Sequence, residues 1–467
     1  MPIHLKIVRS TLRPAGFRAF TPAKSMPGIW LAATIVTALM VPGQSARAGS
    51  NVTPDTTPDQ RSAQTESKVT LETSPDENGV TRTDTQRVNE SYQPKGIEVG
   101  EFLFLPKVEF GAEYNSNVYA TQTDVKADLV SSITPELNVR SEFSEHELDF
   151  SVKGEQLFYS KYTSDNQTNI EGNISGRYDF SRNTQANVST IAFISHEDRT
   201  SPNSIQGMVP TPIQGVLNTA NIKAQFDRFS FLGEVKADRL TFDDVSTSTG
   251  SLIENTDRNR WEFSLRERGA YEMFPGYAAV LQVTENTHVF DKTADRNGFD
   301  RDSMGYRAEA GVGIDISKLV RGDFLVGYFQ QYYNDSRLAN AEGLSMRAVF
   351  NWTPTKLTIV IPSIDRTISD TTTAQASAFD RTGLSLTVRH ELERNIILTG
   401  FGGVYYDQLT GVQGQNDLTY QAKAQVTYAF TPELYVGSEV AFLSKRSEAQ
   451  LASYDQLTTM IKLGVQF

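Results

Sequence analysis

Residues 454–467 read YDQLTTMIKLGVQF, and the alternation within them decides the fold. Leu457, Thr459, Ile461, Leu463, Val465 and Phe467 fall on one face of an extended chain, with Gln456, Thr458, Met460, Lys462, Gly464 and Gln466 on the other. Successive strand side chains point to opposite sides, so this pattern predicts one face toward an apolar phase and one toward a polar phase. The same alternation recurs upstream. Leu418 to Phe430 sets Tyr420, Ala422, Ala424, Val426 and Tyr428 against Thr419, Gln421, Lys423 and Gln425. Tyr306 to Ile316 sets Ala308, Ala310 and Val312 against Arg307, Glu309 and Asp315. Ile170 to Phe180 sets Ile174 and Tyr178 against Glu171, Asn173 and Arg177. One face accepts charge repeatedly and the other almost never, the reverse of what a β-sandwich needs.

The connections alternate as well. Short turns are predicted at 144–147, 181–183, 227–228, 274–276, 318–322, 353–355, 391–395 and 431–433, with longer polar loops at 197–216, 244–256, 291–301, 370–378 and 408–416. Counting between them gives about eighteen strands from 107–119 to 454–467, an all-β antiparallel transmembrane barrel of the outer-membrane type. An even count brings both chain ends to the short-turn side. Phe143, Phe274, Phe350, Trp352 and Phe430 stand near strand ends, where interfacial aromatics belong. Loop 197–216, read as the longest, carries Ile205, Met208, Val209 and Ile213; it either seats these in the mouth as a constriction or forms an ordinary surface loop.

Composition agrees. Hydrophobic residues make up 39% and aromatic residues 10% of the 467, while mean hydropathy is −0.37. Beyond the N-terminus no run approaches the roughly twenty apolar residues of a helical span. Residues 1–48 read as a signal peptide: Lys6, Arg9, Arg13, Arg18 and Lys24 precede the apolar 28–41, and Ala46-Arg47-Ala48 offers a cleavage site. Residues 49–95 are rich in Thr, Ser, Asp, Gln and Glu and read as a disordered periplasmic lead-in. The barrel is assigned to 96–467. The leader holds six of the 44 Lys and Arg and no acid, which leaves 38 basic against 56 acidic residues. That balance argues against nucleic acid as a partner. Zero cysteines exclude disulfides and thiol chemistry.

The chemistry lies on the inward face. The segment 257–273 turns Arg260, Glu262, Arg266 and Arg268 one way and Trp261, Phe263 and Leu265 the other. With Lys236, Arg307, Arg347 and Lys423, these are the pore-lining candidates, since charges facing a pore select permeants by sign. The competing reading makes them cross-strand ion pairs that stiffen the wall. His146, His196, His288 and His390 are scattered, and no catalytic set or metal spacing joins them. No enzyme activity, metal or cofactor is expected.

The barrel opening is more specific. Gly96 to Gly100, Phe102 to Pro106, Glu113 to Ala120, Thr134 to Leu137, Arg140-Ser141 and Ser144 to His146 together resemble the outer-membrane β-barrel porins of the second family. Family members usually carry Asp at the place of Ser116 and often Trp at that of Phe143. The resemblance covers about 96–180 and transfers no site residue. Members are often found in exopolysaccharide and capsule gene clusters. It implies a conduit for a secreted polysaccharide in the outer membrane of a Gram-negative bacterium. The barrel-assembly machinery, lipopolysaccharide and a periplasmic polysaccharide export apparatus are the implied partners. Phe467 resembles the C-terminal signal for barrel assembly. A diffusion porin and a non-conducting surface barrel remain alternatives.

Overall fold

A computed structural model describes Tyr92 and residues 94–467, except 206, 248, 317–318 and 413–415. The segments read as a signal peptide and a lead-in lie outside the described residues, apart from Tyr92, Pro94 and Lys95. The described chain forms one antiparallel sheet of 19 strands and a separate two-stranded ribbon. One of the 19 is the three-residue Ile97–Val99, which pairs with the start of Phe102–Asn115. The other eighteen, each 13 to 16 residues long, pair with their neighbours in chain order. Tyr454–Gln466 then pairs with Phe102–Asn115, from Lys107↔Gln466 to Asn115↔Thr458, and closes the ring. Closure leaves no sheet edge among these strands along most of their length, which is what a lipid environment demands of β-structure.

The two faces follow the predicted alternation. On Arg260–Phe274, Trp261, Phe263 and Tyr271 are exposed outward, while Arg260, Arg266 and Arg268 are buried inward. Leu457, Ile461, Leu463 and Phe467 are exposed on the closing strand. Two acids break the apolar outer face at mid-strand. Glu267 and Glu285 are exposed there on adjacent strands, one diagonal step apart, since Glu267 faces Val283 and Leu265 faces Glu285.

One end of the barrel is made of tight turns. Five connections, 182–183, 227–228, 275–276, 356–357 and 394–395, span two residues each. At Pro275-Gly276 the glycine has φ 81°, and a Cβ there would lie 2.7 Å from the Asp315 carbonyl oxygen. The opposite end carries 116–127, 160–166, 197–211, 243–259, 291–302, 334–340, 371–377, 410–415 and 448–453.

Several boundaries differ from the sequence reading. The first barrel strand begins at Phe102, tied there by Ile97–Val99, and ends at Asn115. Residues 116–127 are therefore a loop, anchored by the wholly buried Asn117, whose Nδ2 donates to the Thr121 and Asp455 carbonyls. Pro354 does not end its strand: Ala341–Thr355 runs to a turn at 356–357, and the ladder slips between Trp352 and Thr355. A residue without an N–H is accommodated at such an irregularity. The longest loop is 243–259 rather than the one after His196, because Pro212 and Ile213 already belong to Pro212–Phe226. Proline is tolerated as the first residue of a strand.

Candidate functional site at the mouth of the barrel

The loop end is closed over by polar contacts. Glu197 and Arg258, from two different loops and both buried, form a double hydrogen bond at 2.7 and 2.9 Å. The Arg258 guanidinium also lies 4.0 Å from the Phe242 ring centroid. Arg199 and Asp165 pair likewise at 2.7 and 2.9 Å, and both are buried. Arg296 grips Asp257 through Nε and Nη2, each at 2.9 Å. Arg301 donates to Asp295 at 2.7 Å and to the Ala376 and Thr373 carbonyls at 2.8 and 3.1 Å. Two-pronged guanidinium pairs of this kind fix geometry as well as energy.

The segment that Arg301 holds is the tip of the hairpin formed by Thr358–Asp370 and Ala378–Glu393. Thr371, Ala376, Ser377 and Ala378 are buried. Asn203 donates to the Asp370 carbonyl at 2.9 Å and accepts the Thr372 N–H at 3.1 Å. The Asp370 carboxylate meets Arg260 at 3.1 Å and His288 at 3.2 Å. Arg260 and His288 stand on the inner side of Arg260–Phe274 and Tyr277–Phe290, and three complete strands separate these from Thr358–Asp370. The hairpin tip therefore leans inward across the mouth. The sequence reading made 370–378 only a polar connection; in the structure this tip is held by Asn203, Arg260, His288 and Arg301.

Loop 197–211 also reaches the mouth, but not through the apolar residues singled out in it. Glu197, Arg199, Ser201 and Asn203 are its buried anchors, while Met208 is exposed. A cleft beside it is lined by Asp257, Asp295 and Asp370 together with Arg258, Arg260, Arg296 and Arg301, a set of mixed sign.

Among the pore-lining candidates, Arg260 and Glu262 meet at this mouth, 2.7 Å apart. Glu262, His288 and Asp370 have donor atoms within 4.8 Å of one another, close enough to share a metal ion. Arg260 already donates to Glu262 and lies 3.1 Å from Asp370, so it supplies the countercharge a cation would bring. Spacing in sequence gave no hint of this cluster, because His288 and Asp370 are 82 residues apart.

Deeper in, Arg266 donates to Glu234, its register partner, at 2.7 Å. Arg268 passes two intervening strands to reach Asp323 at 3.0 Å. The fully buried Glu309 accepts the Ser345 hydroxyl at 2.5 Å and the Gln282 amide at 3.1 Å. Lys423 pairs with Glu439 at 3.0 Å, well away from this group. Lys236 lies in register with Ser264 and Thr219, Arg307 with Thr284 and Phe329, and Arg347 with Leu325 and Asp365. Cross-strand compensation thus operates at Arg266, Arg268 and Lys423. Phe467 is not in the lumen: its ring is exposed outward and its N–H donates to the Pro106 carbonyl at 3.1 Å.

The loop carboxylates are tuned by their donors. Burial works to raise the Asp295 carboxyl, but the Phe299 and Asn297 N–H groups and the Arg301 guanidinium outweigh it and hold it below the usual range. Asp244 behaves alike, with burial opposed by the N–H groups of Asn255 and Thr256 at 2.7 and 2.9 Å. Both carboxylates are hydrogen-bonded as anions.

A family model described as "Putative beta-barrel porin 2" matches residues 90–467. No curated protein matches the chain. Among solved structures, the outer membrane protein OpdK from Pseudomonas aeruginosa aligns at a TM-score of 0.41 and 8% identity, over 78% of this chain and 99% of that one. OccAB1 from Acinetobacter baumannii aligns at 0.41 and 10%, over 81% and 99%. A bacterial polysaccharide outer membrane secretin aligns at 0.34 and 11%, over 79% and 100%.

Proposed function

From the premise that this chain belongs to the family of that description, and is an outer-membrane β-barrel channel, we propose that it conducts a secreted exopolysaccharide or capsule chain across the outer membrane. The observation that carries the reading is an eighteen-strand closed wall with a polar inner face, since barrels of that size enclose an aqueous lumen wide enough for an extended polymer. Pairing of inner charges at Arg266, Arg268 and Lys423 leaves hydrogen-bonding groups without a strong field of one sign, which suits a sugar chain. A periplasmic export apparatus would feed the chain, and the barrel-assembly machinery would install it. The protein acts in this reading as a non-catalytic conduit.

A diffusion porin is the second reading, favoured by the inward-leaning tip held by Asn203 and Arg301, which narrows the mouth as a size filter would. Clean deletion separates the two. Lost surface polysaccharide with unchanged uptake of small hydrophilic solutes supports export. Intact polysaccharide with reduced uptake supports the porin and ends the export reading.

A further inference from the structure

The wall is not zipped evenly. Between Ala341–Thr355 and Thr358–Asp370 the ladder runs through Val349↔Ser363, Ala348↔Ile364 and Arg347↔Asp365, and toward the loop end it stops there. Residues 341–346 pair on their other side with Val320–Tyr333, and residues 366–370 with Ala378–Glu393. Each half-strand is thus fully paired on one side and unpaired on the side that should join them.

The side chains show what has happened. By alternation from Ile364, the even positions of Thr358–Asp370 belong to the outer face, and so do Leu384 and Leu386 of the next strand, both exposed. Yet Asp370 reaches the inner-face residues His288 and Arg260, and Ala378 is wholly buried. Arg366, with Asp380 at 2.5 Å, lies 5.9 Å from the ring centroid of the buried Phe329. A Cβ on Gly343 would sit 3.3 Å from both the Arg366 guanidinium and the Phe329 ring. The upper part of the hairpin has swung inward, so that its outer face packs on the inner wall.

We infer that this hairpin is the gate of the channel, with a second position in which the seam is zipped. The existing register defines that position. Continued past Arg347↔Asp365, it pairs Met346 with Arg366, Ser345 with Thr367, Leu344 with Ile368, Gly343 with Ser369 and Glu342 with Asp370. Outer-face residues meet outer-face residues throughout, so zipping keeps the alternation of both strands and returns Arg366 and Asp370 from the inner wall to the outer face. Zipping supplies the missing backbone hydrogen bonds of two half-strands. Swinging in instead supplies the Asn203, Arg301, Arg260 and His288 contacts to the tip. One set of polar bonds is exchanged for another, which keeps two positions within reach of each other. The inference rests on the channel reading for its consequence, but the movement itself is independent of what passes.

Engineered disulfides test it, in a chain with no cysteine of its own. In the zipped position residues 342 and 370 are direct partners, about 4.5–5.5 Å apart at Cα, within the range that a disulfide spans. In the swung-in position the Glu342 carboxylate accepts the Tyr328 hydroxyl on the outer face, while Asp370 is held inside. The full-length protein carrying E342C with D370C, oxidised in native outer membranes, is expected to cross-link and to show only the larger conductance in planar bilayers. N203C with T372C is expected to cross-link and to show only the smaller one, with switching restored by reduction. The single variant D370C, under the same conditions, separates loss of the Asp370 contacts from locking. Failure of residues 342 and 370 to cross-link while 203 and 372 do so in folded barrel overturns the gate. Both cross-links without conductance in either state leave the movement standing and overturn the channel.

Discussion

Asn203 clasps the backbone on both sides of Thr371: its Nδ2 donates to the Asp370 carbonyl at 2.9 Å and its Oδ1 accepts the Thr372 N–H at 3.1 Å. A single amide thereby imitates the partner strand that this part of the hairpin lacks. Asn203→Ala leaves a donor and an acceptor without partners and should weaken the closed mouth by about 1–3 kcal/mol. Single-channel recordings should show longer residence at the higher conductance. An unchanged dwell-time distribution would mean that Arg301 and Arg260 suffice to hold the tip.

Glu197 and Arg258 should act as a unit. Removal of one partner abandons a buried charge, so Arg258→Ala is expected to loosen loops 197–211 and 243–259 by about 3–5 kcal/mol. The double change to Leu at both positions should recover most of that loss. Protease nicking of these loops in intact cells reads the result. Equal sensitivity of the single and double variants would show that the pair is not energetically coupled.

Acid should loosen the mouth. Asp295 and Asp244 have carboxyls lowered by their donors, after burial is outweighed. A lowered folded value means stabilisation that is complete above the ordinary carboxyl range near about 4 and is lost as pH falls through the folded value. Pepsin cleavage within 291–302 should therefore rise steeply below that range. Asp295→Asn should be cleaved at every pH with a flatter profile.

Glu267 and Glu285 put two carboxylates on the outer face at mid-strand. If that face meets lipid, replacing both by Leu should stabilise the barrel by about 1 kcal/mol each, less than lipid-facing Lys or Arg would cost. The temperature at which the folded form is lost on heating in detergent or lipid measures this. A lower temperature for the double variant in native membranes would show that the two acids contact protein there.

Phe467 contributes an exposed ring and one backbone bond to the folded wall. Phe467→Ala should accordingly reduce the amount of barrel inserted in cells several-fold while the inserted fraction keeps its melting temperature. Equal insertion would deny the residue its role as an assembly signal.

The wall was legible in the sequence because its rule is local. Trp261 outside and Arg260 inside follow from a period of two, and no distant information is needed. The mouth was not legible, because its rule is global: His288 meets Asp370 only across the three strands that lie between theirs in the wall. One signal was present. Arg366, Asp370 and Asp380 all fall on outer-face positions at the same end of one hairpin, where lipid-facing charge is costly. Three charges against the pattern mark a stretch that does not stay in the wall. Loop 197–211 misled for the opposite reason, since its apolar residues drew attention from Glu197, Arg199 and Asn203, which hold it.

The composition of the Asn203 and Arg301 contacts has a thermal consequence. Parting them uncovers carbonyls, guanidinium groups and carboxylates, with little hydrocarbon. Exposure of polar area lowers heat capacity where apolar area would raise it. These contacts should thus add little temperature dependence of their own to the balance between the two hairpin positions, and make it respond instead to ionic strength, which screens the charged members of the clasp.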